Sequence, residues 1–197
     1  MKILGISGSP RSGATEHAVL LSLQFMEEKF AAETKFQSVK GKKLNFCIHC
    51  DHCVQEKEGC TFKDDMESIY EDIKWADAII LGSPVYNGTI SGQMKVLIDR
   101  TKAMVASDPK VFRGKLGVAL AVGGDRNGGQ ELACLTIITY FMINGITPVS
   151  AGAFGGNIGI MFWSRDQSAA GIDADEDGLN ALRKTLKKLG KSLSVDG

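Results

Sequence analysis

The sequence predicts a doubly wound α/β fold, in which one parallel sheet is covered by helices on both faces. Two observations predict it. Five short apolar segments alternate along the 197 residues with segments of helical period, which is typical of strands buried on both faces of a sheet. Three of these apolar segments also run directly into loops rich in Gly and Ser. Right-handed crossovers leave few topologies for such a chain, and the five-stranded order 2-1-3-4-5 is favoured among them.

Each predicted strand is a short apolar run bounded by turn-forming residues. The first leads into Ser-Gly-Ser-Pro, and the third ends at Gly82-Ser83-Pro84. The fourth enters Gly123-Gly124, whereas the second alternates only weakly. The five strands are predicted at residues 1–6, 34–39, 77–82, 116–122 and 146–151.

Helical periodicity fills the intervals between the strands, and several helix ends carry start or stop signals. Asp64 and Glu67 have the spacing of an N-cap and its partner three residues later. Ser91 is a candidate N-cap, and Asn144-Gly145 is typical of a helix end. We expect Asp177 to cap the last helix, whose Leu residues recur at spacings of three and four. The helices are predicted at about residues 14–31, 64–76, 91–104, 130–144 and 179–193.

The composition is that of a single globular domain over residues 1–197, without internal repeat or linker. Hydrophobic residues make up 44% of the chain, which argues against disorder. The formal net charge is zero, so nucleic acid is not an expected partner, and short lysine runs such as Lys40 to Lys43 are expected to be solvated. Since no secretory leader or bilayer-length apolar run is found, we expect a cytoplasmic protein without membrane contact. Residues 152–197 form a C-terminal extension whose first part, 152–177, lacks clear periodicity.

The first strand is followed by a loop, residues 7–15, that is suited to a phosphate group. It places several hydroxyls and Arg11 before the N-terminus of a helix, and all of these favour an anion. The loop lacks the Gly-Lys-Ser/Thr signature of ATP-type phosphate loops, and it also lacks Gly-x-Gly-x-x-Gly. A mononucleotide phosphate therefore fits the loop better than ATP or a dinucleotide does.

Two further loops, residues 83–91 and 123–129, follow the third and fourth strands. Pro84 is rigid, Tyr86 is aromatic, and the glycines of both loops allow close approach of the backbone to a flat ring. Ligands of open α/β sheets bind at the carboxyl ends of strands, so the three loops together predict one mononucleotide site. The candidate ligand-binding residues are Ser7, Ser9, Pro10, Arg11, Ser12, Ala14, Thr15, Pro84, Val85, Tyr86, Asn87, Gly88, Gly123, Gly124 and Gly128.

These loops make the sequence resemble the flavodoxin-like FMN reductase superfamily over about residues 1–155. The resemblance rests on Gly-Ser-Pro-Arg followed by Thr15, on Ser-Pro-x-Tyr-x-Gly at 83–88, and on the Gly-Gly pair at 123–124. It implies a flavodoxin-like fold that binds FMN. The first loop is then expected to hold the FMN phosphate, and the other two loops the isoalloxazine ring.

Four cysteines lie within one loop, residues 44–63, between the second strand and the next helix. Cys47, Cys50, Cys53 and Cys60 have the spacing C-x2-C-x2-C-x6-C. Clustered cysteines in a cytoplasmic protein are more often metal ligands than disulfides. A [4Fe–4S] cluster takes one thiolate per iron, so these four residues match its ligand count. The fifth cysteine, Cys134, lies on an apolar helix face and is expected to be a buried core thiol.

Zinc is the main alternative ligand of this loop. It also accepts four cysteines, and His49 and His52 lie inside the motif as further possible ligands. Structural zinc sites more often use two Cys-x2-Cys pairs held apart by a longer spacer. The spacing therefore favours the cluster, with zinc left open.

The cysteine loop on this scaffold makes the chain resemble the iron–sulfur flavoproteins of anaerobic archaea and bacteria. Their hallmark is a compact C-x2-C-x2-C-x(4–7)-C motif in a flavodoxin-like FMN domain, and residues 47–60 match it without gaps. The resemblance implies a homodimer or homotetramer in which one subunit's cluster lies near a neighbour's flavin. It also implies transfer of electrons from a one-electron donor such as ferredoxin, through the cluster to FMN, and on to oxygen, peroxide or a quinone-like acceptor.

Two alternatives of different kinds stay open on the sequence. One is an NAD(P)H-dependent FMN or quinone reductase whose cysteines bind a structural zinc. The other is a redox sensor without turnover that binds a regulatory partner. No Ser-His-Asp set or Gly-x-Ser-x-Gly elbow is present to suggest hydrolysis, so the chemistry is expected to belong to the cofactors.

Overall fold

The computed structural model describes residues 1–195, and the last two residues of the predicted domain and extension lie outside that range. Seven strands and eight helices alternate along it. The strands are β1 (Lys2–Ser7), β2 (Glu33–Ser38), β3 (Ala78–Tyr86), β4 (Thr89–Ile90), β5 (Leu116–Gly123), β6 (Thr147–Pro148) and β7 (Ile160–Trp163). The helices are α1 (Ala14–Phe30), α2 (His52–Glu56), α3 (Met66–Trp75), α4 (Gly92–Arg100), α5 (Lys102–Ser107), α6 (Gln130–Ile143), α7 (Ala169–Asp173) and α8 (Glu176–Val195). Over this range no helix has the length and apolar character needed to cross a bilayer.

The sheet has the parallel order β2-β1-β3-β5-β6, with β7 also paired to β5 and the short β4 antiparallel to β3. With the two-residue β4 set aside, this is the predicted order 2-1-3-4-5, which is confirmed. The chain order reverses between β1 and β3, and this is the place where doubly wound sheets bind their ligands.

The fifth strand position is interrupted, and here the prediction of one strand at 146–151 is wrong. β6 pairs only with the start of β5, whereas β7 pairs with the end of β5, from Leu120 to Gly123. A glycine-rich segment, residues 149–159, separates the two pieces. It returns to the sheet at Gly159 (φ 138°), where a Cβ atom would lie 2.7 Å from the Ala119 carbonyl oxygen. Only glycine permits that approach.

The two faces of the sheet bury separate apolar layers. Alternate strand residues point to opposite faces, so Leu4 and Ile79 pack with α3, α4, α5 and α6, whereas Ile3 and Ile80 pack with α1, α7 and α8. The predicted leucine stripe of the last helix faces this second layer and is confirmed, with Leu186 fully buried.

Three helix ends differ from the predictions. The predicted helix at 91–104 breaks after Arg100 and restarts at Lys102. The first residue of α3 is Met66, so Asp65 rather than Asp64 precedes it, yet the Asp64 carboxylate accepts the Met66 N–H (3.2 Å) while it also pairs with Arg100. Asp177 does not cap α8, since it lies within the helix and is 87% exposed on its side chain. The buried Asp175 accepts the Gly178 N–H instead (3.4 Å) and also the Trp163 N–H (2.7 Å).

Candidate functional site

The carboxyl ends of β1, β3, β5 and β7 meet at one edge of the sheet. Ser7 pairs with Gly82 in β3, and Gly123 at the end of β5 pairs with Trp163 at the end of β7. The three loops that were singled out in the sequence therefore lie together, as predicted. A fourth loop, residues 164–168, joins them because β7 takes up the edge position beside β5.

The first loop is a tight turn that leaves donors free at the start of α1. The Ser9 hydroxyl donates to the Arg11 carbonyl (2.7 Å) and accepts from the Arg11 N–H (3.3 Å). The first N–H groups of any helix have no intrahelical acceptor. At the start of α1 the N-cap is Gly13, which supplies no side-chain acceptor for them either. Ser7 and Thr15 place buried hydroxyls beside this turn. The donors present fit a phosphate group.

Lys40 is exposed, as was expected of its lysine run, and its side chain also contacts the first loop. It lies just beyond the end of β2, and its Nζ donates to the Ser12 hydroxyl (2.8 Å). The sequence could have indicated this role of Lys40 through its position just after the second strand, because a residue there lies at the carboxyl edge of the sheet. Lys40 adds a second cation beside Arg11 at the phosphate position.

Ser91 connects the first two loops. Its hydroxyl donates to the Gly8 carbonyl (2.6 Å), and its backbone N–H donates to the Ser83 hydroxyl (3.0 Å). The same hydroxyl accepts from the Met94 N–H (3.1 Å), so Ser91 is the N-cap of α4 as predicted. The relative position of the first and second loops is therefore set by one buried serine.

The second and third loops press backbone against backbone. Asn87 and Gly88, with φ of 48° and 83°, form the turn of a short hairpin between β3 and β4. Gly129 (φ 109°) lies against it, and a Cβ atom there would be 2.6 Å from the Gly88 carbonyl oxygen. The half-exposed Tyr86 stands at the start of the turn. Gly129 was not among the candidate residues, yet it sets the distance between the two loops.

Gln130 holds the third loop and was also missed by the sequence reasoning. Its side chain is buried; it accepts the Gly128 N–H (2.9 Å) and donates to the Asp125 carbonyl (2.5 Å). A buried amide at the first residue of α6 shapes the glycine loop through two opposite hydrogen bonds. These two hydrogen bonds, made within the protein, define the shape of the glycine loop.

The fourth loop carries backbone strain next to the candidate site. Arg165, Asp166 and Ser168 have φ between 52° and 56°, which side-chain-bearing residues rarely adopt and which is often found at functional sites. Asp166 lies against Gly124, where a Cβ atom would be 2.6 Å from the carboxylate. No periodicity marked this loop in the sequence. The short run Ile160–Trp163 followed by polar residues was the only signal.

Two arginines contact the Trp163 ring at the same edge. The guanidinium carbon of Arg126, from the third loop, lies 4.9 Å from the ring centroid, and that of Arg165 lies 4.4 Å from it. Such cation–π pairs favour this arrangement. They tie the third loop to the fourth.

The four clustered cysteines line one very small cavity of about 20 Å³, to which Lys102 at the start of α5 also contributes. Their side chains range from exposed to half-buried. Within residues 1–195, no three His, Cys, Asp or Glu side chains come close enough to hold a metal ion. The structure thus brings the predicted ligands to one cavity but does not show a formed cluster site. Four thiols around one cavity are a donor set that fits an iron–sulfur cluster.

The two histidines of the motif differ in position. His49 lines the cysteine cavity, whereas His52 begins the short helix α2 and does not line it. His49, Asp51 and Lys57 all have positive φ, so the loop turns sharply between successive cysteines. Of the two histidines, His49 is therefore the one that the structure places at the cysteine cavity.

Lys102 supplies positive charge at the cysteine cavity. It lines the cavity, and its Nζ donates to Asp51 Oδ1 (2.6 Å). This hydrogen bond raises the pKa of Lys102 and lowers the pKa of Asp51. Burial raises the pKa of the Cys53 thiol, and the Lys102 charge acts against it. A cation beside thiols favours their deprotonated, metal-binding form.

An apolar groove of about 690 Å³ runs beside the cysteine loop between α4 and α6. Cys47 and Ile143 stand at its two sides, and Ile143 is 79% exposed. Phe46 and Ile48, on either side of Cys47, are 72% and 65% exposed. Exposed apolar side chains in this number mark a surface suited to another protein.

Cys134 lies apart from the other four, as predicted. It is fully buried on α6, and burial raises the pKa of its thiol to about 12. A thiol with so high a pKa is inert at neutral pH.

Comparison with known proteins gives a consistent result. The model of the family described as NADPH-dependent FMN reductase matches residues 1–159. An iron–sulfur flavoprotein of Methanocaldococcus jannaschii is 54% identical over 188 residues, covering 95% of this chain and 94% of the relative. An iron–sulfur flavoprotein of Archaeoglobus fulgidus is 52% identical over 191 residues, covering 97% and 96%.

Two solved structures support the fold, and only the fold. The apo form of an NADH:FMN oxidoreductase named EMOB superposes with a TM-score of 0.70 at 16% identity, covering 97% of this chain and 89% of the other. A WrbA-like flavodoxin of Agrobacterium tumefaciens superposes with a TM-score of 0.64 at 17% identity, covering 97% and 95%.

Proposed function

This chain belongs to the NADPH-dependent FMN reductase family and, within it, to the iron–sulfur flavoproteins, and from that premise we propose that it carries electrons from a one-electron donor, through a [4Fe–4S] cluster and FMN, to a small acceptor. Membership makes it a flavoprotein oxidoreductase with FMN and an iron–sulfur cluster as cofactors. The nuclearity of the cluster, the donor and the acceptor are the proposed part. The observation that carries the proposal is that Cys47, Cys50, Cys53 and Cys60 line one cavity.

The loops at the carboxyl edge would hold FMN. The free N–H groups at the start of α1, with Arg11 and Lys40, would neutralise the phosphate. The glycine backbones of the second and third loops would lie against the ring, because they leave room that side chains would fill. Bound in these places, FMN supplies one- and two-electron transfer, and a cluster supplies one-electron transfer. The protein supplies position, charge and exclusion of water.

The two sites lie at opposite ends of α4. Ser91, beside the flavin loops, caps the start of the helix, and Arg100, beside the cysteine loop, ends it. Nine helical residues at about 1.5 Å each separate the sites by about 14 Å along the axis. The proposed assembly, in which the cysteine loop of one subunit approaches the flavin loops of another, rests on the resemblance to the iron–sulfur flavoproteins.

A homodimer or homotetramer is therefore part of the proposal. The exposed apolar residues beside the cysteine loop, such as Phe46 and Ile48, would be covered in it. A ferredoxin-like protein is the proposed donor, since it delivers single electrons at low potential. Oxygen, peroxide or a quinone-like compound is the proposed acceptor.

The test is a visible spectrum with iron, sulfide, zinc and flavin analysis of anaerobically purified protein. We expect about four irons, four sulfides and one FMN per chain, because four local thiols match one cubane. A broad shoulder near the flavin bands should bleach on reduction with dithionite or with reduced ferredoxin. Iron in place but no reduction by ferredoxin would contradict the proposed donor.

The zinc-containing reductase is the second candidate, and the position of His49 at the cysteine cavity is the observation in its favour. One zinc and one FMN without iron, together with steady NADPH oxidation, would replace the proposal by this reductase. A stable complex with a regulator, changed by oxidation and without turnover, would indicate the redox sensor.

A further inference from the structure

The cysteine loop closes on a buried ion pair. Arg100, the last residue of α4, is 1% exposed, and Asp64 is 4% exposed. Both ends of the guanidinium donate to the carboxylate, with Nη1–Oδ2 at 2.8 Å and Nη2–Oδ1 at 3.1 Å. Burial of two charges is costly, and the buried Arg100 Nε has no hydrogen-bond partner within residues 1–195. The paired hydrogen bonds to Asp64 offset part of this cost and fix the position of the guanidinium.

The same guanidinium also contacts the backbone at both ends of the cysteine loop. Nη1 donates to the Asn45 carbonyl (2.7 Å), and Nη2 lies 3.5 Å from the Phe62 carbonyl. Asp64 Oδ2 accepts both the backbone N–H (2.9 Å) and the Nδ2 (3.0 Å) of Asn45. Asn45 and Phe62 flank residues 46–61, the segment that contains all four clustered cysteines. One charge pair thus joins the entry and the exit of this segment.

A second contact holds the middle of the segment. Lys102, at the start of α5, donates to Asp51 (2.6 Å), which stands between Cys50 and Cys53 and has φ of 57°. Thr101, between the two residues, keeps right-handed helical angles (φ −65°, ψ −11°), and Arg100 and Lys102 both reach the cysteine segment. The junction of α4 and α5 thus contacts the segment at its two ends and at its middle.

We propose that the junction of α4 and α5 is a two-point clamp on the cysteine segment, in which Arg100 closes its two ends and Lys102 holds its middle. Both are positioning residues for the cluster. The inference rests on the proposed function, since it takes the four cysteines as cluster ligands. A segment held in this way loses less conformational entropy on binding, so the clamp strengthens retention of the cluster.

The two contacts have different expected strengths. Arg100→Lys keeps the charge but loses the paired hydrogen bonds to Asp64 and the bond to Asn45, and such pairs depend on the guanidinium shape. The contact between Lys102 and Asp51 is partly exposed and therefore weaker. Lys102 additionally places a cation near the cluster, which favours its more negative reduced form.

The experiment measures iron loss from the cluster-loaded, full-length protein under an anaerobic chelator challenge. We expect Lys102→Gln to lose iron roughly twofold to fivefold faster than the wild type, and Arg100→Lys about tenfold faster or more. Lys102→Arg should restore retention. The matched control is Lys35→Gln, because Lys35 on β2 also pairs with an aspartate, Asp72 at 2.7 Å, and neither residue lines the cysteine cavity or the groove beside it. It should leave iron retention unchanged.

The cluster reduction potential separates positioning from simple stability. The potential should fall in Lys102→Gln and return in Lys102→Arg, whereas Lys35→Gln should leave it unaltered. If Arg100→Lys does not fold, the Lys102 variants decide between the two outcomes. Iron loss and potential in Lys102→Gln equal to those of Lys35→Gln would overturn the clamp while leaving the proposed function intact. A wild-type protein that binds FMN but no iron would overturn the proposed function, and the clamp with it.

Discussion

The five cysteines show how much of a residue's chemistry is decided by its surroundings. Four lie at the surface around one cavity with a lysine beside them, whereas Cys134 is buried with a thiol pKa of about 12. Thiolates bind metal and thiols do not, so only the first group is suited to ligation. Spacing in the sequence separated the two groups correctly, because residues 47–60 belong to one loop, whose folding brings the four cysteines to one cavity.

Cys50→Ser tests this division directly. A cluster with only four local thiols should lose most of its iron in this variant, while FMN stays near one per chain because the flavin loops are independent of the cysteine loop. Iron, sulfide and flavin analysis after anaerobic purification checks it. Cys134→Ala is the control and should keep its iron, at a stability cost of about 1–3 kcal/mol from the lost core contact. Parallel loss of iron and FMN in Cys50→Ser would contradict independent sites.

At the scale of elements, the candidate flavin site is built by contacts between loops rather than by any one loop. Ser91 ties the first loop to the second, and Gly129 presses the third against the second. The fourth loop joins through Asp166 and Trp163. Composition predicted the three loops that stand next to long strands. It did not predict the fourth loop, because the strand that precedes it, β7, has only four residues and therefore too little periodicity to be recognised.

Substitutions at two glycines with left-handed backbone distinguish the effect of close packing from the effect of backbone strain. Gly129→Ala adds a Cβ atom against the Gly88 backbone, whereas Gly145 (φ 72°) has no other residue of 1–195 within 4 Å of the added atom. We expect Gly145→Ala to cost about 1 kcal/mol of stability through strain alone, with FMN affinity unchanged. Gly129→Ala should cost more and should weaken FMN binding, because it pushes the second and third loops apart.

Denaturant unfolding and FMN titration by fluorescence measure both effects. Equal stability losses in the two variants, with FMN affinity retained in Gly129→Ala, would show that the contact between the loops does not shape the site.

At the scale of the whole molecule, the two sites lie on different parts of one frame. The flavin loops stand at the carboxyl edge of the sheet, and the cysteine loop contacts the end of α4 and the start of α5. The Arg100–Asp64 pair joins α4 to the start of α3 and to the cysteine loop. It is therefore the contact through which acid should act on the fold.

Acid stability should depend on Asp64. Burial would raise its pKa, but the hydrogen bonds from Arg100 and Asn45 outweigh burial and hold the pKa well below its usual 3.8. Because the folded pKa is depressed, this stabilisation is fully present above about pH 4 and is lost as pH falls below it. Asp64→Asn should be less stable at pH 7 by about 3–5 kcal/mol, since it leaves Arg100 buried without its partner charge.

Urea unfolding at pH 7 and at lower pH values checks this expectation. The curve of stability against pH should be flatter for Asp64→Asn than for the wild type below pH 4. Asp72→Asn is the control, because Asp72 pairs with the more exposed Lys35, and its loss should cost about 1 kcal/mol or less. A similar small loss in both variants would mean that the buried pair contributes little to stability.

The sequence by itself determined the strand order, most helix positions, the placing of three loops at one edge and the grouping of four cysteines. These follow from apolar periodicity and from distance along the chain, which act locally. Only the tertiary structure decided the split fifth strand, the fourth loop, the place of Lys40 beside the first loop, and the clamp from Arg100 and Lys102 onto the cysteine segment. Arg100 and Asp64 are 36 residues apart, and nothing in either local pattern marks the partner, because pairing of distant side chains is set by how the packed elements bring them together.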